Sequence, residues 1–101
     1  MSEIRVTKEN FEGLKNGEKT VLLDFYADWC GPCGMIAPLI SEIAEEHPEI
    51  TVGKVNVDDE PGLAQEFGIV SIPTLIVLRG GKTAGKCVGV RAKEQILEML
   101  A

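Results

Sequence analysis

The chain has 101 residues, with 10 Lys and Arg against 16 Asp and Glu, a formal net charge of −6 at pH 7. At 45% hydrophobic and 26% charged it has the composition of a globular protein, and the length suits one domain, 1–101, with a radius of gyration of about 13 Å. Such a chain can bury a core without disulfides or a metal; two large domains, a repeat array and a multi-lobed enzyme are excluded.

The acidic balance argues against nucleic-acid and membrane partners, because phosphate binding needs a basic face and no Lys/Arg cluster occurs. The longest apolar stretches are interrupted by Asp24, Pro73 and Arg79, far short of a membrane span. Met1 to Arg5 carry no apolar run before Lys8 and Glu9, which reads as no signal peptide. The expected setting is the cytoplasm, where thiols stay reduced, and nothing in the sequence asks for more than a monomer.

No repeat or low-complexity linker divides the chain. Ile4 to Thr7 is a short alternating strand, and Thr7 is placed to cap a helix through Phe11 and Leu14 that ends near Asn16 and Gly17. Val21 to Ala27 is almost continuously apolar, as expected of a central strand buried on both faces. Ile36, Leu39, Ile40, Ile43 and Ala44 then recur at helical spacing, with Glu42, Glu45 and Glu46 opposite. Pro38 should kink this helix, and His47-Pro48 ends it. Thr51 to Val57 alternates as a third strand. Asp58-Asp59-Glu60-Pro61 opens a short helix with its acidic residues at the positive end, Leu63, Ala64 and Phe67 supply its apolar side, and Gly68 stops it. Thr74 to Leu78 is a strand. A turn at Arg79-Gly80-Gly81-Lys82 returns Thr83 to Val88 as its hairpin partner, weakened by Gly85. A last helix carries Ile96, Leu97 and Leu100. The order β-α-β-α-β-α-β-β-α predicts an α/β fold with a mixed sheet covered on both faces.

The chemistry concentrates in Cys30-Gly31-Pro32-Cys33. Cys30 falls between a buried strand and a helix, where unpaired N–H groups and the helix dipole favour thiolate, the nucleophilic form. Pro32 suits a first helical turn. The two-residue spacer brings Cys33 one turn away, close enough to close a small ring and to resolve a mixed disulfide. The competing reading is half a zinc site, which would have to recruit Cys87, His47 and carboxylates. No second Cys-x-x-Cys exists, and His47 lies about 20 Å along the helix, so no metal is expected.

Asp24 is the second unusual residue. A carboxylate inside an apolar strand costs free energy unless paired, and burial should raise its pKa. Two readings stand on the strand alone: an acid/base that exchanges a proton with the dithiol, or a residue that turns toward solvent or a backbone N–H.

Phe25-Tyr26-Ala27-Asp28-Trp29-Cys30-Gly31-Pro32-Cys33 resembles the active-site segment of the thioredoxin family. Pro38, Lys54-Val55-Asn56-Val57-Asp58, Gly68-Ile69-Val70-Ser71-Ile72-Pro73-Thr74-Leu75 and Gly89 match in order, so the resemblance spans essentially the whole chain. It implies a thioredoxin-like fold, a central mixed sheet of about five strands flanked by four helices, and general protein-disulfide reductase activity.

Carried over by position, Cys30 is the exposed nucleophile and Cys33 the resolving thiol of a redox disulfide. Asp24 is a buried proton carrier, and Lys54 a lysine whose ammonium tunes it. Pro73 is a cis-proline beside the dithiol; Ile72 offers its backbone to a substrate strand. Trp29, Gly31, Pro32 and Gly89 line the substrate surface. Three departures are visible. Gly34 stands where the family commonly has a basic residue, Tyr26 where many relatives have Trp, and Cys87 is extra, read as a structural thiol rather than a regulatory one.

The resemblance further implies disulfide-containing protein substrates and a partner thioredoxin reductase, flavin- or ferredoxin-linked. The chain itself has no Gly-rich phosphate loop and is expected to need no cofactor. Two rivals are an oxidase or isomerase on the same fold and a docking module that makes no use of the thiols.

Overall fold

The computed structural model describes residues 3–101; Met1 and Ser2, which begin the N-terminal stretch read above, lie outside the described residues. The elements are β1 (Ile4–Arg5), α1 (Phe11–Lys15), β2 (Val21–Tyr26), α2 (Gly31–Glu46), β3 (Thr51–Asn56), α3 (Pro61–Glu66), β4 (Thr74–Arg79), β5 (Lys82–Val88) and α4 (Lys93–Leu100). This is the expected order. The five strands form one sheet in the order β1-β3-β2-β4-β5. β3 runs parallel to β1 and β2, while β4 is antiparallel to both β2 and β5.

β2 sits at the centre because its side chains are apolar on both faces, which only a strand covered on both sides can afford. Val21, Leu23 and Phe25 join Val6, Phe11, Val55, Leu63, Ile76 and Leu78 in one core layer, under α1 and α3. Leu22 joins Ile36, Ile40, Ile43, Val52, Leu75, Val77 and Ile96 in the other, under α2 and α4. Each such fully buried aliphatic or aromatic side chain contributes on the order of 1.5–3 kcal/mol. Phe67 closes the first layer edge-on to Phe11, with ring centroids 5.6 Å apart.

Several local expectations shift. Asn10, not Thr7, is the N-cap residue of α1; the two instead exchange hydrogen bonds, Thr7 N–H to Asn10 Oδ1 at 2.9 Å and Asn10 N–H to Thr7 Oγ1 at 3.3 Å. α2 contains Pro38 within its span and ends at the His47 cap, as expected of His47-Pro48. The acidic residues Asp58, Asp59 and Glu60 lead into α3 as expected, with Glu60 as its N-cap residue and Pro61 in its first turn. Each already has a partner elsewhere: the Trp29 indole N–H, the Arg5 guanidinium and the Lys8 backbone N–H respectively. The hairpin turn uses Gly80 and Gly81 at φ of 60° and 79°, as a two-residue loop with positive φ at both positions requires. The weakness foreseen at Gly85 is a register shift, since Val77 faces Gly85 but Leu78 faces Thr83.

Candidate functional site

β2 delivers the chain to the start of α2, and the two cysteines sit at that junction. Cys30 is the N-cap of α2, in an extended conformation, with Gly31 and Pro32 as the first helical residues. Pro32 occupies a position whose N–H would have no helical partner, so its ring costs nothing there. Cys30 and Cys33 form a disulfide with Cα atoms 5.3 Å apart. The Cys33 N–H donates to Cys30 Sγ at 3.2 Å, and the same sulfur lies 3.8 Å from the Ile72 carbonyl oxygen. A sulfur capping a 16-residue helix receives the N–H groups and partial positive charge that stabilise a thiolate.

The expectation of an exposed Cys30 needs correction. As whole residues Cys30 is 8% exposed and Cys33 5%, so exposure barely distinguishes the two in the disulfide. The helix start and the Ile72 loop cover them, together with Ala27, Tyr26 and Val57. What separates the two is position: Cys30 caps the helix, whereas Cys33 lies within it.

The surface beside them is apolar. Trp29, 72% exposed, is not a core aromatic; its indole N–H donates to Asp58 Oδ2 at 2.8 Å, which fixes the ring against the loop after β3. Trp29, Val57, Ala64, Ile69, Val70 and Ile72 line an open groove. Met35 is also exposed on the first turns of α2. The Ile72–Pro73 peptide bond is cis, as the resemblance implied. The Thr74 hydroxyl donates to the Ser71 carbonyl at 2.6 Å across Pro73, and the Gly89 N–H donates to the Pro73 carbonyl at 2.8 Å. Gly89 has φ 91°, so its turn role and its place beside the Pro73 loop are two aspects of one feature.

Asp24 points neither to solvent nor to a backbone N–H. It is 1% exposed, pairs in register with Lys54 on β3 and Leu75 on β4, and neither carboxylate oxygen has a hydrogen-bond partner among the described residues. The Lys54 ammonium stands 3.5 Å from Oδ2. Desolvation outweighs the attraction of Lys54 and raises the Asp24 pKa to about 6. A buried carboxyl with that value can take and give a proton near neutral pH.

The zinc reading loses His47 on geometry. His47 ends α2 at the far end from the dithiol and bonds Glu49 at 2.9 Å, which removes it from any site with Cys30 and Cys33. Cys87 is half-buried, packed against the core layer under α2 and α4; burial pushes its thiol pKa up. Asp58 and Val70 were not foreseen as parts of the site. Asp58 reads locally as a helix-start acid, and only the approach of the β2 and β3 carboxyl ends brings it to Trp29. Val70 carried a usable signal, three apolar residues among 69–72 broken only by Ser71, outside any helical or strand period.

The family model of thioredoxin matches residues 2–101. A thioredoxin from Alicyclobacillus acidocaldarius is 47% identical over 97 residues, covering 95% of this chain and 92% of that protein. One from Staphylococcus haemolyticus is 43% identical over 102 residues, covering 99% and 96%. A bifunctional thioredoxin reductase/thioredoxin from Mycobacterium leprae is 44% identical over 100 residues, 97% of this chain but 22% of that protein. With this match across the whole dithiol fold, the chain belongs to the thioredoxin family and is a protein-disulfide oxidoreductase acting through its Cys30–Cys33 pair.

Proposed function

We propose that residues 1–101 form a single thioredoxin-like domain that works in the cytoplasm as a monomeric, general protein-disulfide reductase. The observation that carries this reading is the Cys30 sulfur capping α2 and accepting the Cys33 N–H at 3.2 Å.

In the reduced protein Cys30 is the thiolate. It attacks one sulfur of a substrate disulfide, forming a mixed disulfide and expelling the other sulfur as thiolate, which is then protonated. Cys33 gives its proton to Asp24 and attacks Cys30 Sγ. The bond between Cys30 and the substrate breaks, the second substrate sulfur leaves as thiolate, and the Cys30–Cys33 disulfide closes. Two electrons pass to the substrate. Lys54 favours the charged form of Asp24 and keeps its proton exchangeable. The substrate lies against the rim formed by Trp29, Gly31, Pro32, Ile72, Pro73 and Gly89, with the backbone of Ile72 pairing to an extended segment.

A partner must return two electrons to the disulfide, with one proton taken up by the Cys33 thiol while Cys30 stays a thiolate. A thioredoxin reductase, flavin- or ferredoxin-linked, fits that need, and the fused reductase in the Mycobacterium leprae relative supports the pairing. The test is to expose a Cys33→Ser variant to disulfide-containing proteins. Mixed disulfides through Cys30 should accumulate, and Cys30→Ser should abolish turnover. Turnover by Cys30→Ser, or no trapped adduct on Cys33→Ser, overturns the assignment of roles.

A further inference from the structure

We propose that Tyr26 is a positioning residue for disulfide exchange, its ring holding the Lys54 ammonium against the Asp24 carboxylate. Asp24 and Tyr26 are two residues apart on β2 and therefore face the same side of the sheet. Lys54 stands opposite Asp24 in the parallel register with β3. Its ammonium is 3.5 Å from Asp24 Oδ2 and 4.4 Å from the centroid of the Tyr26 ring, so it touches both at once. The half-buried Tyr26 also packs against the cluster of Ala27, Cys30 and Cys33.

This contact answers a physical difficulty. Lys54 keeps 23% of its side chain exposed, at an opening that it lines with Glu3, Ile4, Arg5 and Tyr26. A lysine head is strongly hydrated and flexible, and at such an opening it would turn to water rather than toward a fully buried carboxylate. The negative face of an aromatic ring attracts the ammonium without adding a second titrating anion.

Among the described residues, the charged and titratable groups around the pair are few. Glu3, ahead of β1, bonds to Ser41 of α2 and pushes Asp24 up at longer range. Arg5 of β1 lies beside Lys54 in register and is engaged by Asp59. α2 brings the disulfide, and β4 sets the apolar Leu75 against Asp24. Without the ring, the ammonium leaves Asp24 and the carboxyl holds its proton to higher pH. The consequence for turnover rests on the reading of Asp24 as proton carrier; the clamp on Lys54 does not.

The experiment is a titration of the Asp24 carboxyl by carbon-13 NMR in the oxidised full chain, where neither Cys30 nor Cys33 titrates. Tyr26→Leu should move the Asp24 midpoint up by about one pH unit, while Tyr26→Phe and Tyr26→Trp leave it near the wild-type value. In a Lys54→Met background, Tyr26→Leu should add nothing. If Tyr26→Leu does not fold, phenylalanines of increasing fluorination at position 26 replace it. Fluorine drains the ring face with little change of shape, so the midpoint should climb step by step with fluorine count. An unmoved midpoint in Tyr26→Leu, a flat fluorine series, or an equal movement without Lys54 would overturn the proposal. Failure of the proton-carrier reading looks different: Asp24→Asn would leave the pH–rate profile unchanged while the titration results stand.

Discussion

Replacing Asp24 by Asn removes a carboxyl that the fold holds at a cost, and that cost has a calculable pH dependence. The Asp24 pKa rises from an ordinary 3.8 to about 6 on folding, with desolvation as the main cause. Between those values the native protein keeps a proton that the unfolded chain releases. The contribution of Asp24 to stability is therefore greatest below the unfolded value and falls as pH rises through the folded one. A difference of about two pH units corresponds to about 3 kcal/mol. Asn is close in shape and does not titrate, so subtracting its stability from that of the wild type cancels every other titration the two share. Urea unfolding of both oxidised proteins, followed by circular dichroism from pH 3.5 to 8, measures this difference directly. Relative to the wild type, the Asn variant should gain about 3 kcal/mol between the acid and alkaline ends, a midpoint shift of roughly 2 M urea for a chain of this size. The gain should develop between about pH 4 and 6. A difference that stays flat over that range would mean Asp24 titrates normally. A wild type gaining on the variant with rising pH would mean the Lys54 attraction exceeds the desolvation. Either result would refute the reasoning. The same substitution should slow release of the mixed disulfide, so the protein retains a destabilising group for its reaction.

Gly53 and Gly34 should respond oppositely to alanine. A Cβ at Gly53 would meet Val6 Cγ2 at 2.5 Å and Leu23 Cδ2 at 3.2 Å, so Gly53→Ala should cost about 1–3 kcal/mol in chemical denaturation. Gly34 has nothing within 4 Å of that position and sits inside α2, so Gly34→Ala should stabilise by about 0.5–1 kcal/mol; a loss there would refute the open-space argument. Cys87, with burial holding its thiol above the ordinary range, should react with an alkylating reagent slowly at pH 7 in the oxidised native protein and quickly in urea. Labelling at the rate of a free thiol would return it to the regulatory reading.

The dithiol was legible in the sequence because its chemistry is local: a cap position, a first-turn proline and a two-residue spacer are all set within one turn of helix. The element order was legible too, since apolar periodicity marks each strand and helix in turn. Asp24 stood out only as an anomaly. A strand pattern says that a residue is in the sheet, not which neighbour it faces, so the pairing with Lys54 had to come from family resemblance until the register of β2 on β3 was known. The exposed nucleophile failed for a related reason: exposure depends on what the Ile72 loop does 42 residues away. Tyr26 shows the limit most clearly. Its sequence context offers an aromatic in a buried strand and nothing more. Three facts place it beside the proton-carrying pair: the two-residue offset from Asp24, the parallel register that brings Lys54 opposite, and the turn of the lysine stem that carries its ammonium over the ring. Only the first can be read from the chain. A substitution of Trp by Tyr at this position looks conservative on paper. Whether it is conservative in the site depends on how strongly each ring face attracts an ammonium, and Trp is the stronger of the two. On that argument Tyr26→Trp should keep the Asp24 midpoint near the wild-type value, with any small movement downward rather than upward.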